Sequence, residues 1–341
     1  MIRNIKFMQV LKQIVFVISI TNLISCNNSN GTKVSVSNRE ILVNNLPYTI
    51  KGICYHPVPK GTSQRSFKNL TQDLALMKEA HINTIRVYAP IDDEAVLNKI
   101  HEAGIKVIMG FGYDQKGFFD VKSKTFINYI ITYKDHPAIL MWELGNEYNY
   151  HPEWFDDDIK NWYQAMNNAA ELIHHSDTSH PVSTAHGELP NSLALNSCPN
   201  IDVWGMNVYR WDNPEEIFSQ WKAISPKPMY MSEAGADSYM TISKDGFNQG
   251  NNQKAQAVAN ANILGDIFKN KDVCSGVTLF SFTDGWWKAG NPNVQDVGGW
   301  APNSSGVPYD GSPNEEYWGI VDIDRNEKET FEIVKASYTI N

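Results

Sequence analysis

Eight short apolar runs recur along residues 49–285, most of them followed by a polar loop and an amphipathic segment, and this alternation restricts the fold more than any other property of the chain. The first run spans about Thr49–Tyr55 and leads to a helix near Leu70–His81. The second, NTIRVYA, precedes DDEAVLNKIHEAG, where Ala95, Val96, Ile100 and Ala103 fall at helical spacing and Gly104 provides a left-handed stop. KVIMGFG is the third, with a helix over about Lys122–Tyr133. The fourth, Ala138–Trp142, runs on into Glu143–Glu147 and is followed by a helix over Asp158–His174. HPVSTAH, DVWGMNVY, KPMYMSEAG and SGVTLFSFTDG complete the set, with helices near Pro214–Trp221 and Gln253–Phe268. The connection after the fifth run reads mostly as loop. Strands alternating with helices predict a parallel sheet, and eight of them predict an α/β chain closed into a single (β/α)8 TIM barrel. A doubly wound open sheet is the competing arrangement, but no GxGxxG follows the first run, so no dinucleotide site is indicated.

The two ends of the chain have separate signatures. Arg3, Lys6 and Lys12 precede the apolar stretch Ile14–Ile20, and Leu23–Cys26 reads LISC. A charged start, a short apolar run and small residues before a cleavage point describe a secretory leader. The LISC ending resembles a bacterial lipobox, which implies lipidation of Cys26; a plain cleaved leader with a chance cysteine is the alternative. Residues 1–26 are thus expected to be a signal peptide and residues 27–33 a polar tether. The mature protein would be exported and held on a periplasmic or cell-surface membrane face through acyl chains at Cys26. Residues 34–341 form one domain, in which Val34–His56 alternates as a hairpin entering the first strand and capping the barrel bottom. Glu327–Ser337 supplies the last helix. Cys54, Cys198 and Cys274 are an odd number at wide spacing, which suits small core residues better than a disulfide framework.

Composition narrows the partners. The 341 residues carry a formal net charge of −9, which offers no basic surface for nucleic acid. The chain has ten Trp and fifteen Tyr, and much of the Trp falls in polar, glycine-rich segments, where flat apolar ligands explain the placement better than core packing does. No CxxC or His-rich cluster points to a metal and no HxH follows the first strand, so neither metal nor organic cofactor is expected.

In a barrel of this kind the chemistry lies at the C-terminal ends of the strands. Polar groups end nearly every predicted strand: His56, then Arg86 and Tyr88, Asn146 and Glu147, His186, Asn207 and Tyr209, Glu233, and finally Asp284 with Trp286 just beyond. Their convergence on one rim is the signal. Glu147 and Glu233, on the fourth and seventh strands, face one another, as glycoside cleavage requires of its acid and its nucleophile. Arg86 beside Glu233 would keep that carboxylate ionised, and Tyr209 is placed to hydrogen-bond it. Strand alternation puts Glu143 on the same side as Gly145 and Glu147, as either a buried structural acid or a substrate contact. His56 and His186 either line the cleft or are hydrogen-bonded barrel residues. His174 and His175 end a helix and suit its dipole.

The segments KGICYHP, DLALMKEAHINTIRVYAP, HPAILMWELGNE, PMYMSEAGA and WGIVDIDRNEK resemble the barrel domain of glycoside hydrolase family 2, in the retaining clan A superfamily. INTIRVYAP with VLNKIHEAGIKVIM is also similar to the β-1,3-glucanosyltransferases of family 72. The resemblance implies that Glu147 is the acid/base, Glu233 the nucleophile and Asn146 a contact to the sugar 2-hydroxyl. It implies that Trp286 floors the pocket of the cleaved sugar. The long segment 284–318 holds further aromatics, with Trp300 and Tyr309 as either platforms or loop packing. Tyr148, Tyr150 and Trp154 are placed to line the other side. The expected activity is retaining hydrolysis of an oligo- or polysaccharide, a β-linked glucan with β-1,3 favoured. Transglycosylation through the same intermediate, or sugar binding without catalysis, is the alternative.

Overall fold

The computed structural model describes residues 32–210, 215–299 and 314–340. Cys26 and the leader, Trp300 and Tyr309 lie outside them. Eight parallel strands close into a barrel. They are β1 Ile50–Cys54, β2 Thr84–Val87, β3 Lys106–Phe111, β4 Ile139–Asn146, β5 Val182–Gly187, β6 Val203–Asn207, β7 Met229–Glu233 and β8 Cys274–Leu279. Neighbours in sequence are neighbours in space, and β8 pairs with β1 to complete the circle. The (β/α)8 arrangement expected from the alternation is therefore present. Strands covered on both faces read as continuous apolar runs, and every residue of β2, β5 and β8 is buried. Gly276 has a left-handed φ of 125°, and a Cβ there would meet the Ile50 carbonyl oxygen at 2.1 Å, so the β8–β1 seam needs glycine.

The outer helices are α1 Leu70–Glu79, α2 Glu94–Glu102, α3 Phe126–Tyr133, α4 Ile159–Ser176, α5 Ser192–Ser197, α6 Glu215–Ile224, α7 Gln253–Lys269 and α8 Glu329–Ile340. Asp93, Asp158, Asn191 and Asn252 each accept a backbone N–H of the first turn, which fixes where α2, α4, α5 and α7 begin. Three elements differ from expectation. The connection after β5 contains the short helix α5, made possible by the Asn191 cap. Helix α3 starts at Phe126, because the Asp120 carboxylate collects the N–H groups of Gln115 and Ser123 and folds residues 115–125 into a turn. Strand β8 ends at Leu279: the next N–H groups, of Phe280, Ser281 and Phe282, donate instead to Ala234, Trp318 and Cys54.

An antiparallel sheet of Val34–Ser37, Glu40–Val43 and Leu46–Pro47 lies across the N-terminal ends of the barrel strands. Val34 and Ile41 pack with Ile50, Ile108, Leu140, Met141, Val203 and Tyr230, an apolar cluster distinct from the larger core between barrel and helices. The Val34 N–H donates to Ser179 just before β5, and the Arg39 guanidinium to carbonyls of Lys222, Ser225 and Lys227 before β7. At the opposite end, two buried ion pairs fasten the long segment between β8 and α8. Arg325 Nε meets Asp73 Oδ1 at 2.9 Å, and Lys328 Nζ meets Asp284 Oδ1 at 3.0 Å. The three described cysteines are free and buried.

Candidate active site

The end of β4 decides the site's layout. Pairing with β5 shifts register between Leu144 and Asn146, at Gly145, whose φ is 73°. Glu147 follows with a left-handed φ of 54°, its N–H held by the Ala185 carbonyl at 2.8 Å. This bulge breaks the two-residue alternation, as an extra residue in a strand must. Glu143 is left in the buried layer while Asn146 and Glu147 both reach the rim. The Glu143 carboxylate accepts from Arg86 Nε at 2.6 Å and from the Tyr230 hydroxyl, and does not line the main cavity. It is a structural acid.

Arg86, fully buried on β2, is shared among several acceptors, including the Ser232 carbonyl and three site side chains. Besides Glu143 it donates through Nη1 to Glu233 Oε1 at 2.8 Å and through Nη2 to Asn146 Oδ1 at 2.8 Å. Glu233, the last residue of β7, also accepts from the Tyr88 hydroxyl at 2.7 Å and, on its other oxygen, from the Tyr209 hydroxyl at 2.6 Å. Three charge-assisted donors hold this carboxylate in one orientation. Asn146 Oδ1 accepts a second bond from Asn207 Nδ2 at 3.0 Å, which leaves the Asn146 amide N–H groups for the cavity. Ser232 in turn donates to Asn207 Oδ1 at 2.7 Å and fixes that side chain.

Glu147 is in the opposite condition. Burial, reinforced by the negative charge of Glu233, pushes its pKa up to about 7, against weaker opposing effects from Asn207, Arg86 and Lys288. One rim therefore carries a carboxylate surrounded by donors and a carboxyl group that keeps its proton to near neutrality. Both line a cavity of about 750 Å³, large enough for more than one sugar ring.

The other expected residues divide. His56 and Tyr88 line this cavity; His56 packs against Trp287 at 5.1 Å, and burial lowers its pKa to about 4, so its ring is neutral. His186 does not line it. Its ring is taken by the Tyr163 hydroxyl at 3.2 Å and the Glu188 carbonyl at 3.0 Å, so of its two expected roles it has that of a hydrogen-bonded barrel residue and not of a substrate contact. The expectation for Trp286 is corrected. It lies outside the lining under the Lys60 ammonium, 4.2 Å from the ring centroid, while Trp287, Phe280 and Trp318 present the aromatic walls. Asp284 is taken by Lys328. Tyr150 lines the cavity; Trp154 is exposed and stacked on His151 with ring centroids 4.0 Å apart, and Tyr148 packs edge-on against Trp162. His174 pairs with Asp202 at 2.7 Å and His175 with the Glu171 carbonyl, both remote from the cavity lining. Glu188, Lys288 and Glu315 line the cavity although they follow or lie far from any predicted strand end, and their loops carry no periodic signal that would have singled them out. Among the described residues no cluster of three or more His, Cys, Asp or Glu could hold a metal ion, and no helix is long and apolar enough to cross a membrane.

No protein-family model matches the chain. It is 21% identical over 286 residues to the probable beta-glucosidase btgE of Aspergillus terreus, covering 80% of this chain and 45% of that protein. Among solved structures it is similar to the GH2 beta-galacturonidase of Eisenbergiella tayi bound to galacturonate, with a TM-score of 0.67, 23% identity, and coverage of 91% of this chain and 54% of the other. The beta-D-glucuronidase of Dictyoglomus thermophilum gives 0.68 at 18% identity, over 90% of this chain and 53% of the other. The chain spans about half the length of these proteins. The resemblance to the family 2 barrel is borne out in the fold.

Proposed function

We propose that the chain is a retaining β-glycoside hydrolase with Glu233 as nucleophile and Glu147 as acid/base. The observation that carries this is the electrostatic contrast between two carboxyl groups on one cavity: Glu233 held by Arg86, Tyr88 and Tyr209, Glu147 protonated to about pH 7. In the first step Glu233 attacks the anomeric carbon while Glu147 gives its proton to the departing oxygen. In the second, Glu147 takes a proton from water, which attacks the glycosyl-enzyme and frees Glu233. The Asn146 amide is placed for the sugar 2-hydroxyl, a bond that strengthens as positive charge develops on the ring. Phe280, Trp287 and Trp318 offer apolar faces to pyranose rings. A β-linked glucan is the proposed substrate, with β-1,3 linkage suggested by the family 72-like segment; the beta-glucosidase name of the Aspergillus protein supports a glucoside and says nothing of linkage.

The test is mass-resolved product analysis with defined β-1,3, β-1,4 and β-1,6 oligosaccharides. Shorter products from the wild type and none from Glu233→Gln support hydrolysis. Products longer than the input would mean transfer to sugar, and equal turnover by the variant would remove Glu233 from the mechanism. We further propose export and lipidation at Cys26. Incorporation of labelled palmitate by the full chain but not by Cys26→Ala supports it, and equal labelling of both rejects it.

A further inference from the structure

The charged groups of the cavity are unequally distributed. Four carboxyl groups line it: Glu147, Glu188, Glu233 and Glu315. Lys288 is the one Lys or Arg among the described residues that does so. That lysine is already engaged, its Nζ 2.8 Å from Glu315 Oε2 and 4.3 Å above the Phe280 ring centroid, with both partners about three-quarters buried. Two arginines of the same rim are engaged too. Arg86 is divided among Glu143, Glu233 and Asn146. Arg210, outside the lining, forks onto Glu188 with Nη2–Oε2 at 2.8 Å. Segments 211–214 and 300–313, which lie outside the described residues, contain neither Lys nor Arg.

We propose that this cavity selects a neutral β-linked sugar and rejects a uronate, and that the Lys288–Glu315 pair sets the choice; this rests on the glycosidase assignment above. A uronate carboxylate entering here would lose water beside carboxylates and find no unengaged Lys or Arg among the described lining residues, and a buried charge without a partner is strongly disfavoured. Sugar hydroxyls, by contrast, can donate to Glu188 and Glu315. Glu315 acts by occupying the ammonium that a uronate would need. Barrels of similar fold that are named for uronides therefore do not predict this chain's sugar.

The test compares kcat/KM of the full chain on p-nitrophenyl β-glucoside, β-galactoside and β-mannoside with that on the β-glucuronide and β-galacturonide. The best neutral substrate should exceed the best uronide at least about tenfold, the size of one charge-assisted hydrogen bond. Glu315→Gln releases Lys288 and should raise the uronide-to-neutral ratio about tenfold; Lys288→Met should not raise it. A wild type that prefers a uronide, or a ratio unmoved by Glu315→Gln, overturns the proposal. A second measurement is independent of turnover and of how well the Glu315 variant folds: calorimetric titration of Glu233→Gln with the same compounds, where neutral glycosides should bind and uronides bind at least about tenfold more weakly. That binding pattern without hydrolysis by the wild type would reject the glycosidase assignment and keep the selectivity. Hydrolysis of uronides in preference would do the reverse, and absence of binding by every neutral glycoside would overturn the selectivity.

Discussion

Glu147 keeps its proton because burial disfavours its charged form and the negative charge of Glu233 beside it adds to that. Two expectations follow from that cause. The proposed general acid must be protonated in the free protein, so kcat/KM should fall as pH rises through about 7. Removing the neighbouring charge by Glu233→Gln should lower the Glu147 pKa, measurable by carbon NMR of labelled carboxyl groups; an unmoved titration would mean that burial alone raises it. The same group also affects stability. Between the ordinary glutamate value of 4.5 and about 7, the unfolded chain has released this proton and the native chain still holds it. The native state binds more protons, so stability declines as pH rises through that window. Above it the full cost, on the order of 3 kcal/mol, is in place. Glu147→Gln should therefore raise the denaturation midpoint above about pH 7 and leave it nearly unchanged below 4.5. An equal gain at both pH values would mean that packing, not charge, is responsible.

At the scale of the element, β4 shows what was legible and what was not. Its apolar run and its polar end could be read from residue types, and so could the convergence of Asn146, Glu147, Arg86 and Glu233. The bulge could not. Strict alternation placed Glu143, Gly145 and Glu147 on one side, and only the left-handed Gly145 separates the buried acid from the rim acid. An added Cβ at Gly145 would come within 2.5 Å of Trp162 Cζ2, so Gly145→Ala incurs both a steric conflict and a left-handed penalty. A loss of about 3 kcal/mol in urea denaturation is expected, with lowered activity; a loss under about 1 kcal/mol would mean the bulge adapts without difficulty. The loop after β8 misled in a related way. Trp286 and Trp287 are adjacent and chemically alike, and which one faces the cavity depends on the Asp284–Lys328 pair and on bonds to residues 316–321. Contacts between segments so distant in sequence leave no periodic trace.

Across the whole molecule, the eight strands and most helices were legible because each repeats a period set by its own backbone. The sheet across the barrel bottom was legible only as a hairpin, since its third strand is two residues long. It covers Ile50, Ile108, Leu140, Met141, Val203 and Tyr230. Deleting residues 32–47 should expose that cluster, lower the melting temperature and bind a hydrophobic dye at the barrel end; a truncated chain with unchanged melting would show that the strands alone close the bottom. The opposite rim is organised differently. One guanidinium, that of Arg86, serves the buried acid, the proposed nucleophile and the amide proposed to meet the sugar. These four side chains are coupled through one cation, so a change at any of them alters the hydrogen bonding of the rest. Glu188, Lys288, Glu315 and Trp287 belong to loops outside that set. The residues proposed to choose the sugar can therefore be changed one loop at a time without touching the hydrogen bonds around the proposed nucleophile.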